Sequence, residues 1–167
     1  MKHLFSILFL TFVCLGNVTQ AQEIGVMLTD NDAATNVRSA PRGEVVMTLP
    51  DTCSYIMTLT DARNGWWRIK WLECAEEGND IALVGSPTQE YWIHYSVVGL
   101  DTRNYGNERW CLRATPNEKG KPTHWFNEEI EVHPLQVQGD WVQVEYNGRK
   151  GWIEIEKLCD NPLTNCS

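Results

Sequence analysis

One short motif occurs twice in this chain, and the interval between its copies fixes the architecture. Val37-Arg38-Ser39-Ala40-Pro41 returns 75 residues later as Leu112-Arg113-Ala114-Thr115-Pro116. At that offset Trp66 meets Trp141, Ile69 meets Val144 and Trp71 meets Tyr146, with no gap. Trp92-Ile93 meets Trp152-Ile153 at an offset of only 60, so the first copy carries 15 extra residues between Trp71 and Trp92. Self-similarity at a fixed interval is the mark of a duplicated structural unit. A chain of 167 residues then divides into two small units, where its length alone would also have allowed one ordinary domain.

Within each unit the local signals are those of strands. Tyr55-Ile56-Met57-Thr58-Leu59-Thr60 and Trp141-Val142-Gln143-Val144-Glu145-Tyr146 alternate or are β-branched, the pattern of a half-buried strand. Asn64-Gly65 and Asn147-Gly148 precede Trp66 and Gly151-Trp152, and Asn-Gly between two such runs predicts a type I′ hairpin. No window has a helical period with caps. Two copies of about five strands each imply an all-β chain of two small barrels, joined near residues 99–109. Barrels of this size bury little of their surface and need large apolar side chains. Eight Trp meet that need, and the recurring Trp66, Trp92, Trp141 and Trp152 are expected in the cores.

Residues 1–21 read as a cleaved secretory signal, from the apolar run Leu4–Leu15 to the small residues Thr19 and Ala21. The run is too short to span a bilayer as a helix. Five cysteines remain beyond it, and in an exported chain they are disulfide candidates. Cys53 and Cys74, both in the first half, are the expected pair. A second bridge is expected to join two of Cys111, Cys159 and Cys166. No Cys and His fall at zinc-ligand spacing, so no metal or cofactor is expected. The net charge of −8 argues against a nucleic-acid ligand, which demands a basic stripe. It argues equally against docking to anionic lipid.

The ordered motifs Asn36-Val37-Arg38-Ser39-Ala40-Pro41, Asn64-Gly65-Trp66-Trp67-Arg68-Ile69, Tyr146-Asn147-Gly148-Arg149 and Gly151-Trp152-Ile153 resemble the bacterial SH3-like (SH3b) domain, present in tandem. The resemblance divides the chain into the signal at 1–21, a first SH3-like domain at 23–100 with the 15-residue insertion, and a second at 108–167. It implies an exported binding module for cell-wall peptidoglycan or a peptide, periplasmic or secreted. The alternative reading is a periplasmic protein–protein adaptor or inhibitor. No hydrolase domain accompanies the repeats, and no nucleophile elbow, zinc-protease helix or phosphate loop occurs, so a non-enzyme is expected.

By the same resemblance, the grooves lie near residues 39–44, 63–64 and Trp67 in copy one, and near 116–124 and Asp140 in copy two. Trp66 and Trp67 are neighbours and point to opposite faces of a strand. Trp67 is therefore expected outside the core, with Trp71 on its side, forming an aromatic patch or packing on the insertion or the second copy. Trp125, beside His124, is the other unmatched aromatic, and an exposed ring there would stack on a sugar or a peptide side chain. The candidate binding residues are thus Trp67, Trp71, Trp125, His124 and Asp140. The insertion mixes acids with Ile81-Ala82-Leu83-Val84. It is expected to pack or to form an extra hairpin, and to serve interdomain packing.

Overall fold

A computed structural model of the chain describes residues 22–161, except 84, 86, 87 and 107. The proposed signal peptide and Cys166 lie outside the described residues. Copy one contains β1 (Ile24–Leu28), β2 (Ala34–Arg38), β3 (Val45–Pro50), β4 (Tyr55–Arg63), β5 (Trp66–Cys74), β6 (Asn79–Asp80) and β7 (Trp92–His94). A 3-10 turn at Tyr95–Val97 leads into β8 (Val98–Thr102). Copy two follows with β9 (Trp110–Arg113), β10 (Pro122–Phe126), β11 (Glu131–Gln138), β12 (Trp141–Tyr146) and β13 (Arg149–Glu154). A second 3-10 turn, Ile155–Lys157, precedes β14 (Leu158–Cys159). The described residues contain no α-helix, in line with the strand periodicity.

The strands form one antiparallel path, β10-β9-β13-β12-β11-β8-β1-β4-β5-β7-β2-β3, with β6 on β5 and β14 on β8. The path is open at β10 and β3, so the expected barrels do not close as hydrogen-bonded rings. Strand β8 joins the two halves of the path. β1 pairs with β4 and β8 in copy one, and β8 pairs with β11 and β14 in copy two. The last strand of one unit is therefore the first of the next. The stretch read as a linker, 99–109, thus opens as strand.

Turn chemistry places these strands as the sequence indicates. Asn64 and Gly65 (φ 51 and 83) and Asn147 and Gly148 (φ 49 and 75) both take the left-handed pair of a type I′ turn. Register follows, with Arg63 opposite Trp66 and Tyr146 opposite Arg149. The motif arginines act alike in both copies. Arg38 Nη1 donates to the Gly43 carbonyl at 2.9 Å, and Arg113 Nη1 to the Gly120 carbonyl at 3.0 Å, each clamping the hairpin loop that follows it. Alternation then buries Val26, Met57, Leu59, Ile69 and Ile93 in copy one, and Leu112, Val132, Val142, Val144 and Ile153 in copy two.

Two departures from even alternation decide where the aromatic side chains go. The β4–β5 register slips at Lys70 (Thr58 opposite Trp71, Leu59 opposite Ile69) and again at Asp61. An extra residue in one strand flips every later side chain to the other face. Trp67 and Ile69 point inward before the bulge, and Leu72 and Cys74 point inward after it, which leaves Trp71 half-exposed on the opposite side. The insertion does form a small hairpin. β6 pairs with Glu73 and Cys74, and Ile81 N–H donates to the Leu72 carbonyl. Ile81 and Leu83 are half-buried against the core. Cys53 and Cys74 are bridged with Cα atoms 5.8 Å apart. Cys159 is also disulfide-bonded, whereas Cys111 is free.

Candidate functional site

The eight Trp separate into distinct environments. Trp92 and Trp152, at the duplicated Trp-Ile positions, are buried. Trp66 and Trp141 are only half-buried, so the expectation that they fill the cores is corrected. Trp67 takes that place in copy one and Val142 in copy two. Copy one gains from the larger ring because it reaches beyond its own unit. Trp67 is 1% exposed and its indole N–H donates to the Pro134 carbonyl of β11 at 2.8 Å. Trp67 is therefore a seam residue between the copies and presents no ring to a ligand. Its strand phase was legible, but the existence of a second-copy surface to receive it was not.

The remaining expected site residues do not converge on one place. Trp71 donates its indole N–H to Asp80 Oδ1 at 3.0 Å and so packs on the insertion hairpin. Asp140 is exposed on the β11–β12 turn, where its carbonyl accepts the Ile155 N–H at 2.9 Å. That turn borders an open cleft of about 1130 Å³ between the copies, which Gln22 bridges by two hydrogen bonds to Gly139, each 2.9 Å. His124 and Trp125 are consecutive on edge strand β10 and face opposite ways. His124 lies 5.5 Å from Tyr146 and 6.4 Å from Phe126, and its Nδ1 accepts a hydrogen bond from Arg149 Nη1 at 3.3 Å.

Trp125 is different. It is 48% exposed, paired across the ladder with Cys111, and the Arg109 guanidinium lies 4.5 Å from its ring centroid. Burying a Trp recovers a large apolar area, and the fold does not do so here. A guanidinium over the ring supports its face and adds a charged donor beside it. Several cations stand around this edge although the chain is acidic, with Glu108, Glu118 and Glu145 among them. Arg109, Lys119, Lys121, Arg149 and Lys150 are exposed and none has a carboxylate partner among the described residues. Acidic groups gather around a cleft of about 550 Å³ that includes Glu128, Glu129, Glu131 and Glu145.

These strands carry a recognisable pattern. Residues 112–156 match the Bacterial SH3 domain family. The SH3 match spans β10, β12 and β13 and therefore includes Trp125, His124, Tyr146 and Arg149, while Arg109 stands just before it. No curated protein matches the chain. Among solved structures, NlpC1 of Trichomonas vaginalis is similar at 13% identity and a TM-score of 0.30, with 83% of this chain and 45% of that one covered. NlpC2 of the same organism is similar at 14% identity and a TM-score of 0.31, covering 83% and 48%. The chain thus spans about half the length of the solved structures it matches.

Sequence reading missed one further cluster. Trp66 in β5 lies 5.1 Å from His94 in β7, which lies 4.7 Å from Tyr95. Arg38 stands 5.9 Å from the Trp66 ring. Burial, and then the charge of Arg42, hold the His94 imidazole below its usual range. Assigning Trp66 to the core hid this group. The signal available in sequence was His94-Tyr95 at the place where copy two has Glu154-Ile155.

Proposed function

We propose that this protein is an exported, non-catalytic binding module that recognises cell-wall peptidoglycan or a peptide through its second SH3-like unit. The observation carrying this reading is the exposed Trp125 ring with Arg109 across it, on the open edge of the segment that matches the bacterial SH3 domain. A flat aromatic face stacks on a sugar ring or a peptide side chain, and the guanidinium supplies hydrogen bonds to adjacent oxygens. With about half of its surface exposed, Trp125 contributes less to stability than the buried Trp67 and Trp92.

The test is co-sedimentation with purified peptidoglycan. The parent is expected to pellet with it, and Trp125→Ala to remain largely in solution, with a stability loss of about 1–2 kcal/mol that leaves it folded. Retention of Trp125→Ala at the parent level would refute the site. A second reading, a protein–protein adaptor, is favoured by a separate observation: edge strand β3 leaves Val45 and Val46 45% and 37% exposed. An unpaired hydrophobic edge is a template for strand addition by a partner. On that reading Val46→Lys abolishes partner binding, and peptidoglycan is inert.

A further inference from the structure

The two copies place opposite chemistry at one equivalent position. The residue two beyond the buried Trp of the Trp-Ile pair is His94 in copy one and Glu154 in copy two. In copy two, Lys157 neutralises Glu154 from the following turn, so that site holds a closed ion pair. In copy one the same place holds no carboxylate, only His94 with Ser96 beside it. His94 Nδ1 lies 2.8 Å from the Ser96 hydroxyl and 3.4 Å from the Ser96 backbone N–H. A backbone N–H can only donate, so Nδ1 accepts, the hydroxyl donates to it as well, and the proton of the neutral ring stands on Nε2. Gly65 keeps space beside that nitrogen: a Cβ there would lie 3.3 Å from it. His94 Nε2 has no hydrogen-bond acceptor among the described residues.

One guanidinium group stands over the same cluster and a second acts on it by charge. Arg38 lies over Trp66 and spends one nitrogen on the Gly43 carbonyl. Arg42 is near enough for its charge to act on His94. Neither has a carboxylate partner among the described residues. Arg42 is also held in an unfavourable backbone conformation. The Gly43 N–H donates to the Ala40 carbonyl at 2.8 Å and closes a turn with Pro41 second and Arg42 third, at φ 62. That third position of a type II turn takes Gly or Asn because other residues are strained there. A strained residue that glycine would relieve points to a use for its side chain.

We propose that Arg38, Arg42 and the His94 Nε2–H, walled by Trp66 and Tyr95, form a binding site for the carboxylate of a small ligand. The guanidinium groups supply charge-assisted hydrogen bonds, His94 adds a neutral donor, and the aromatic rings receive the apolar part next to the carboxylate. A peptide C-terminus and an acidic sugar share this chemistry. The site lies in copy one and does not depend on the role given to Trp125.

The experiment is an NMR titration of the full chain with three probes: N-acetyl-alanyl-alanine, its C-terminal amide, and glucuronic acid. A free carboxylate is expected to shift the Gly65 amide and the Trp66 indole N–H, and amidation to weaken binding about tenfold or more. Tighter binding of the dipeptide than of glucuronic acid assigns a peptide source, and the reverse order assigns a sugar; either outcome supports the site. Arg42→Gly is expected to raise the Tm by about 2–4 °C and to weaken carboxylate binding about tenfold. Because this variant is stabilised, its lost binding cannot be ascribed to unfolding. Equal binding of acid and amide, no shift at Gly65 and Trp66 with either carboxylate, or parental affinity in Arg42→Gly would overturn the proposal.

Discussion

Replacing Asp101 by Asn should make the protein more stable at neutral pH and leave it unchanged in acid. Asp101 lies on β8, directly across the ladder from Glu131 on β11 and from Cys159 on β14. Like charges placed directly opposite destabilise a sheet. Partial burial, then the charges of Glu129 and Glu131, push its carboxyl from the ordinary 3.8 up to about 6. The folded state therefore holds a proton that the unfolded state releases between pH 3.8 and about 6. Stability is highest below this window and falls as pH rises through it. The rise corresponds to about 3 kcal/mol at full effect, and water around the partly exposed group reduces it to about 1–2 kcal/mol. Asn carries no charge at any pH, and Asp101 has no side-chain hydrogen bond to lose among the described residues. Urea denaturation of both proteins from pH 3.5 to 8 reads the effect. The two curves should converge near pH 3.5, and the variant should lead by about 1–2 kcal/mol above pH 7. A constant difference across the range, or no gain at pH 8, would refute the electrostatic account.

Other perturbations follow from packing. Trp67→Phe removes the indole donor at the seam, with its hydrogen bond to the Pro134 carbonyl, and part of the buried ring, which should cost about 2–4 kcal/mol in denaturant unfolding; a cost below about 0.5 kcal/mol would mean that the seam contributes nothing. Gly151→Ala places a Cβ 2.6 Å from the Leu112 Cβ and 3.0 Å from Thr123 Oγ1. The overpacking should lower stability by about 1–3 kcal/mol, seen as a depressed Tm. An unchanged Tm would show that β9 can move aside.

The fold was largely legible because strand and turn signals are local. The Asn-Gly pairs, the alternation in β12 and the repeat of Trp92-Ile93 as Trp152-Ile153 each depend on a few neighbouring residues, and the repeat supplied the order. Which Trp faced where was less legible. Alternation carried straight through β5 puts Trp71 beside Trp67, whereas the bulge at Lys70 separates them, and a bulge depends on the partner strand as much as on its own residues. The choice of Trp67 over Trp66 for burial depends on a carbonyl 67 residues away. The groove expected near 39–44 and 63–64 did not include His94 and Tyr95, because β7 meets β2 and β5 only in three dimensions.

Strand β8 has a consequence for how the molecule comes apart. Its two edges serve different units, β1 and β11, and β14 extends the same pairing. If copy one melted first, β8 would lose β1 and offer a raw edge to solvent; if copy two melted first, it would lose β11 and β14. Each half therefore destabilises the other on leaving, and the chain should lose its structure in a single cooperative transition. A cut inside residues 98–102 leaves no complete half to isolate. One strand, paired on both of its edges, ties the two halves into a single folding unit.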